Sequence, residues 1–390
     1  MAAEFAMREI APVAARAASC DDDGHVSADD YLAVHRAAAR AGLTSLLIPS
    51  EYGGGGGSVL DNAVVQEELG AVDAGIGAGL NLSTAVPGLI VAGGTEAQRA
   101  AWLPAIASAE DFVLAGALNE PNVSGAELFA PPDSPASGIR TIARRDGNDY
   151  VLSGAKVAWV TNGGVAKGYF VFARTDAERP AGETASCFFV PADTPGLTTG
   201  ARTELLGMRT GWHAEVFLDD VRVPADRRIG DEGSAFMLMA MASGPMAVGL
   251  AATFVGVARA ANELAVEYTT HRHSWGVPIR AHQAVALELA DAYVAVQAAR
   301  LLVWDAAAAL DRGDPSAGML KVPAAKAYAV DAAIKAAQCA VKVMGATGVA
   351  RGGRAEQYLR DAWTGYTCDF SKEMLLIGLA GALGANELSR

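Results

Sequence analysis

The spacing of apolar residues changes twice along this chain, and that double switch limits the fold more than any other feature. Up to residue 112 apolar positions recur every three or four residues, as on amphipathic helices. Asp29–Ala41, Val59–Leu69 and Glu96–Ser108 are the clearest of these. From 113 to 229 the pattern becomes short runs of β-branched and aromatic residues, broken by Gly, Pro, Asn and Asp, as in an antiparallel sheet. Thr141–Arg145, Asp149–Leu152, Lys156–Val160, Gly168–Arg174 and Ser186–Pro191 read as strands, and Glu215–Val223 closes the set before Pro224. Helix spacing then returns. Met246–His271, Gln283–Asp311 and Pro323–Met344 are apolar nearly all round, as helices buried in a bundle or at a subunit interface are. The expected fold is α+β: an N-terminal helical domain over 1–112, a β-domain over 113–229, and a four-helix-bundle-like domain over 230–390.

Composition narrows the function classes. A chain of 390 residues is too long for one simple core. Its net charge of −13 argues against a nucleic-acid or anionic-membrane surface. No apolar run is read as reaching the about 18–20 residues that span a bilayer. The first ten residues carry charge and lack the core of a secretion signal. Cys20, Cys187, Cys339 and Cys368 form neither a CxxC pair nor a disulfide framework, so a reducing cytoplasm is the expected location. The Gly53–Gly57 run is a surface connection and not a phosphate loop, since no Gly-Lys-Ser/Thr follows it. No residue set has metal-ligand spacing, and His213 and His273 are expected to be structural.

Several strings, in order, carry a resemblance. Arg8-Glu-Ile-Ala-Pro12 and Glu51-Tyr-Gly-Gly54 come first, then Ala117-Leu-Asn-Glu-Pro121 and Lys156-Val-Ala-Trp-Val-Thr-Asn-Gly-Gly164. Arg272-His-Ser-Trp-Gly276 with His282-Gln283, Met344-Gly-Ala-Thr-Gly348 and Leu359-Arg-Asp361 complete the set. Together they resemble the signatures of acyl-CoA dehydrogenases across nearly the whole chain. The resemblance implies a FAD-dependent oxidoreductase that removes the α-proton of an acyl thioester and passes the β-hydride to the flavin. It also implies an electron acceptor, either an electron-transfer flavoprotein or oxygen, and a homotetramer or homodimer.

By the same resemblance, Trp159 and Thr161 face the isoalloxazine, because a flavin needs a flat apolar wall and a few donors at its polar edge. Leu118, Asn119, Ser124 and Gly125 are expected to cradle its pyrimidine and phosphate side. Here Asn122-Val-Ser-Gly-Ala126 and the stretch Pro131–Pro135 stand where the family has a tight Gly-Ser-Asp, and that stretch is expected to shape the substrate mouth. Arg272, Trp275, Gln283, Lys342 and Gly345 are assigned to the pyrophosphate of a FAD held mainly by a neighbouring subunit, arginine's planar fork suiting phosphate oxygens. Ser371 and Glu373 are expected near the ribityl chain.

The family's usual base is a glutamate downstream of the Arg-Asp pair. Counting from Arg360-Asp361 puts that position at Asp369, one methylene shorter. Asp369-Phe-Ser-Lys before an apolar helix also reads as a helix cap. Relatives that carry the glutamate on the long helix have it near Met246, which rules that variant out here. Ser243-Gly-Pro-Met-Ala-Val248 lacks the aspartate and arginine that grip pantetheine. A carrier-protein-bound acyl group or a non-thioester substrate therefore gains ground. An aspartate base and a Glu-Pro-Asn string also occur in the nitroalkane oxidases of this superfamily. The alternative reading is a flavin oxidase or monooxygenase of the same fold acting on a non-CoA substrate.

Overall fold

The structure is a computed structural model that describes residues 1–19, 26–129 and 133–384. Cys20 and Pro131 lie outside the described residues. The N-terminal unit holds α1 (Ala2–Phe5), α2 (Ala11–Ser19), α3 (Ala28–Arg40), α4 (Val59–Val72), α5 (Ala74–Ala85), α6 (Gly88–Gly93) and α7 (Glu96–Ser108). Side-chain caps start four of them: Ser27, Ser58, Asp73 and Thr95 each accept from a backbone N–H three residues on.

The sheet follows. It comprises β1 (Leu114–Ala117), the short helix α8 (Gly125–Phe129), β2 (Ile142–Asp146), β3 (Asp149–Thr161), β4 (Gly168–Arg174), α9 (Ala181–Thr184), β5 (Ala185–Pro191), β6 (Leu197–Arg202), β7 (His213–Pro224) and β8 (Arg228–Ile229). The strand order is β6-β7-β3-β2-β4-β5-β8, with β1 on β4. The sheet is not purely antiparallel as the sequence suggested. β1 and β4 run parallel, as do β2 and β4 at a single pair, Ile142 with Arg174. β1 escaped notice because its Leu-Ala-Gly-Ala carries no β-branched residue.

The two strand readings at 149–152 and 156–160 are one strand, β3, bent by two register shifts against β7. The second shift falls between Lys156 and Val160. Such a bulge re-aims a side chain. Trp159 sits inside it and is 55% exposed.

The last unit is a helical bundle. α10 (Ala235–His271) leads to the hairpin β9 (His273–Ser274) and β10 (Val277–Pro278), then α11 (Gln283–Asp311), α12 (Val322–Met344), α13 (Arg354–Gly365) and α14 (Lys372–Ala382). α10 begins at Ala235 and not at Met246, running through Pro245 within the helix. Alanines such as Ala258, Ala261, Ala333, Ala336 and Ala337 form much of the bundle core. The α4–α10 crossing is closer still: a Cβ on Gly256 would lie 2.2 Å from the Glu67 carbonyl oxygen.

The expectation that no apolar run is long enough to span a bilayer is corrected. Ala74–Gly93, Ala235–His271 and Gln283–Asp311 all qualify by length and composition, with mean hydropathy of 1.4, 1.7 and 1.3. Tertiary packing takes up much of that apolar surface: 83%, 56% and 39% of the three windows are buried.

Candidate active site

Widely separated stretches of chain meet around one cavity of about 120 Å³. Helices α5 and α6, with their link, supply Leu82, Ala85, Val86 and Leu89. The strand ends supply Gly116, Leu118, Asn119, Trp159, Thr161 and Phe172. The first half of α10 adds Met239, Ala242, Ser243 and Met246, and the turn between α13 and α14 adds Asp369 and Phe370. Asp369 is the one charged residue in a lining that is otherwise apolar or neutral.

Asp369 has φ 56, the left-handed region that few non-glycine residues occupy. Its residue surface is exposed, and it forms part of the cavity lining. The protein crowded around its carboxylate displaces water and raises its pKa, and the charge of Lys326 opposes the rise. The capping reading falls to its neighbour: Ser371 is the N-cap of α14 and accepts from Met374 N–H. Cys368 is half-buried, its thiol pushed up to about 12 by burial, with Sγ 3.9 Å from Met208 Sδ. It packs and does not stand ready as a nucleophile.

The strand-end residues are held by a network that sequence reasoning missed. Lys156 Nζ, fully buried, donates to Glu120 Oε1 at 2.5 Å, to the Phe172 carbonyl at 2.7 Å and to the Leu118 carbonyl at 3.3 Å. Glu120 also accepts from Thr141 Oγ1 at 2.5 Å and from Arg140 N–H at 2.6 Å. Burial lowers the Lys156 pKa and Glu120 opposes it. Val157 N–H closes onto the Asn119 carbonyl at 3.0 Å, tying the β1 end to the bulge. Both ion-pair partners stood inside the quoted strings, but only the fold brings them together. Next to Thr161, buried Asn162 (φ 64) accepts from Tyr31 OH at 2.6 Å and donates to the Leu114 carbonyl at 2.8 Å.

The remaining assigned residues fall into two groups. Ser124 and Gly125 open α8, where Ser124 Oγ accepts from Glu127 N–H at 3.3 Å. Gly125 faces Met374 of α14 closely enough that a Cβ would sit 3.0 Å from its sulfur. Glu373, on the exposed side of the same helix, accepts from Tyr366 OH at 2.5 Å, which lowers its pKa. The second group gathers at the far end of the bundle, where α10 ends and α11 begins. There Arg272 caps α10, Gln283 opens α11, and Trp275 is 93% exposed. Lys342 pairs with Glu288 at 3.2 Å, and Gly345 (φ 57) ends α12. None of these five lines the cavity. Pro135 does not line it either; its carbonyl accepts from buried Arg174 at 2.9 Å.

A flat indole, a hydroxyl and a carboxamide converge beside a lone carboxylate, under a roof of helices. The cavity lies within a three-part helix–sheet–helix architecture, and comparison with known proteins gives that architecture its class. Family models match the acyl-CoA dehydrogenase N-terminal domain over 1–110, its middle domain over 132–221 and its C-terminal domain over 233–382. The chain is 35% identical over 361 residues to the probable acyl-CoA dehydrogenase FadE25 of Mycobacterium tuberculosis, covering 92% of this chain and 87% of that one. It is 30% identical over 382 residues to the mitochondrial short-chain specific acyl-CoA dehydrogenase of Rattus norvegicus, covering 97% and 87%. Butyryl-CoA dehydrogenase from Megasphaera elsdenii superposes with a TM-score of 0.87 at 29% identity, covering 98% and 96%. The chain belongs to the acyl-CoA dehydrogenase family, a class of FAD oxidoreductases.

Proposed function

We propose that this enzyme carries out FAD-dependent α,β-dehydrogenation of an acyl thioester, with Asp369 as the base. The observation that carries this reading is the lone Asp369 carboxylate sharing one small apolar cavity with Trp159 and Thr161. The lining suits a flavin: an exposed indole offers a flat wall, and Thr161 and Asn119 offer donors at a polar edge. Leu118, Ser124 and Gly125 would complete the near side, with Ser371 and Glu373 at the start of α14. Bound there, FAD supplies the acceptor for the β-hydride.

The chain's own part is proton removal and exclusion of water. Asp369 takes the α-proton of the thioester as the hydride leaves the β-carbon, which yields the α,β-unsaturated thioester and a protonated Asp369. Partial loss of water around its carboxylate raises its basicity, toward the strength an α-proton demands. Leu89, Met239, Met246 and Phe370 keep the reacting carbons dry. Ser243 stands in the lining where a charged anchor for pantetheine is expected, which favours a thioester gripped elsewhere, on CoA or on a carrier protein.

Arg272, Trp275, Gln283, Lys342 and Gly345 are read as reaching the cofactor of a second copy. Leu287, Val294 and Leu301 support such an oligomer: they are 62%, 62% and 63% exposed and recur every seven residues along α11. That spacing makes one apolar stripe. Light scattering on the purified protein tests it, and a monomer at micromolar concentration would refute it. A cytoplasmic location belongs to the same reading, with Cys187, Cys339 and Cys368 present as free thiols.

The decisive experiment is anaerobic mixing with a short acyl-CoA while flavin absorbance is followed. The wild type bleaches, and Asp369→Asn loses about 10²–10⁴-fold in rate. A mutant reduced as fast as the parent removes Asp369 from the mechanism. Rapid oxygen uptake with peroxide release would instead assign oxygen as the acceptor in place of an electron-transfer flavoprotein.

A further inference from the structure

Behind the Asp369 turn stands a charge that the reaction above leaves unused. Lys326 lies on α12 among buried alanines and is itself 1% exposed. Its Nζ donates to the Cys368 carbonyl and, at 2.6 Å, to the Phe370 carbonyl. Those are the two residues that flank Asp369. An ammonium desolvated this far is strongly unfavourable unless it is paired and hydrogen-bonded. Burial drives its pKa down, and Asp369, then Cys368, pull it back. The turn it holds is itself unfavourable, since Asp369 carries φ 56 without being glycine.

The neighbouring charges are otherwise engaged. Lys372 of α14 pairs with Asp331 of α12 at 2.6 Å, Glu373 takes the Tyr366 hydroxyl, and Cys368 stays a thiol. The segments of α5, α6 and α10 that line the cavity bring no charge. Among the described residues, Lys326 is therefore the one cation bearing on the carboxylate.

We propose that Lys326 is the positioning residue of the base: it clamps the carbonyls on both sides of Asp369, so that the carboxylate is held toward the cavity and kept ionised for proton removal. The proposal rests on reading Asp369 as the base. It gives a reason for a left-handed aspartate at a catalytic position. The clamp holds the turn in place by tying both flanking carbonyls to one ammonium.

Two variants of the FAD-loaded enzyme test it, with butyryl-CoA as the probe. Lys326→Gln keeps donors for both carbonyls but removes the charge. In the pH profile of anaerobic flavin reduction its acidic limb is expected to rise by roughly 1–3 units. Lys326→Met removes the donors too, and amide hydrogen exchange over 366–371 is expected to quicken at least about tenfold. If Lys326→Met does not fold, the acidic limb of Lys326→Gln alone decides. An unmoved limb in Lys326→Gln, or unmoved exchange in Lys326→Met, overturns the proposal. Asp369→Asn, run alongside, separates the two claims. If it is reduced as fast as the wild type, the base reading falls, and the clamp is judged by hydrogen exchange, which needs no turnover.

Discussion

At the scale of single residues, the buried pair Lys156–Glu120 carries the greatest risk and the most specific consequence. Both side chains are essentially inaccessible, at 0% and 3%. An ion pair at this depth contributes little net stability, but removing one partner strands the other charge, at about 3–5 kcal/mol. Glu120→Ala is therefore expected to lower the midpoint of urea unfolding by about that free energy. Glu120→Leu with Lys156→Met is expected to recover much of the loss. The double variant has a second readout. Lys156 also holds the Leu118 and Phe172 carbonyls, so FAD retention on gel filtration should fall even where stability returns. Full retention in a stable double variant would show that the pair does not organise the cofactor wall. Trp159 offers a simpler case. It is exposed and packs little, so Trp159→Ala should leave the unfolding midpoint within about 0.5 kcal/mol while flavin content drops.

At the scale of elements, the α4–α10 crossing depends on absent side chains. Gly70 and Gly256 let the two backbones touch, and a Cβ on Gly70 would lie 2.2 Å from the Thr253 carbonyl oxygen. Arg259 and Arg300 then tie α10 and α11 to Glu67 of α4, at 3.1 and 2.6 Å. Gly256→Val is expected to cost more than about 3 kcal/mol, measured by chemical unfolding, because backbone and not a flexible tip must yield. Elements with clear punctuation were legible in the sequence: Glu96–Ser108, Gly168–Arg174 and Gln283–Asp311 have in the fold the bounds their patterns suggest. α5 was not. Its Ala-Gly-Ile-Gly-Ala-Gly run has no polar face, since it is buried on nearly every side, and three glycines depress its helix propensity. The start of α10 was hidden by Ser243-Gly-Pro245, which reads as a break but lies within a continuous helix. Asp369 and Trp159 were singled out through their surrounding strings, and both line the cavity. Lys326 was not, because a lysine in an alanine-rich helix looks the same whether it faces solvent or a buried turn.

At the scale of the whole molecule, buried titratable groups set opposing pH dependences. His35 and His213 are held neutral by burial, with pKa values lowered to about 3 and about 4. Unfolded, each would take up a proton below about 6.5, so each removes stability as pH falls through that value. At pH 5 the cost from His35 is about 2 kcal/mol, from 1.5 units at 1.36 kcal/mol each. His35→Phe should therefore gain stability at pH 5 relative to pH 8, seen as a smaller acid shift of the unfolding midpoint. Asp361 runs the other way. Burial, with Asp73 nearby, raises its pKa to about 7, so the folded state holds a proton that the unfolded chain has lost. Its contribution is full below about pH 4 and declines by roughly 1.4 kcal/mol per unit up to about 7. Asp361→Asn, which can still accept from Met208 N–H, should flatten that decline. The cavity has an implication of a different kind, in the order of events as the chain is made. Its lining comes from residues 82–89, 116–119, 159–172, 239–246 and 369–370, so no early-folding portion contains a usable half of it. A nascent chain has nowhere to receive the cofactor until Asp369 and Phe370 have been synthesised and α12 has docked behind them. Cofactor capture should thus be the last folding step, and flavin supply should limit the rescue of a finished chain and not its synthesis.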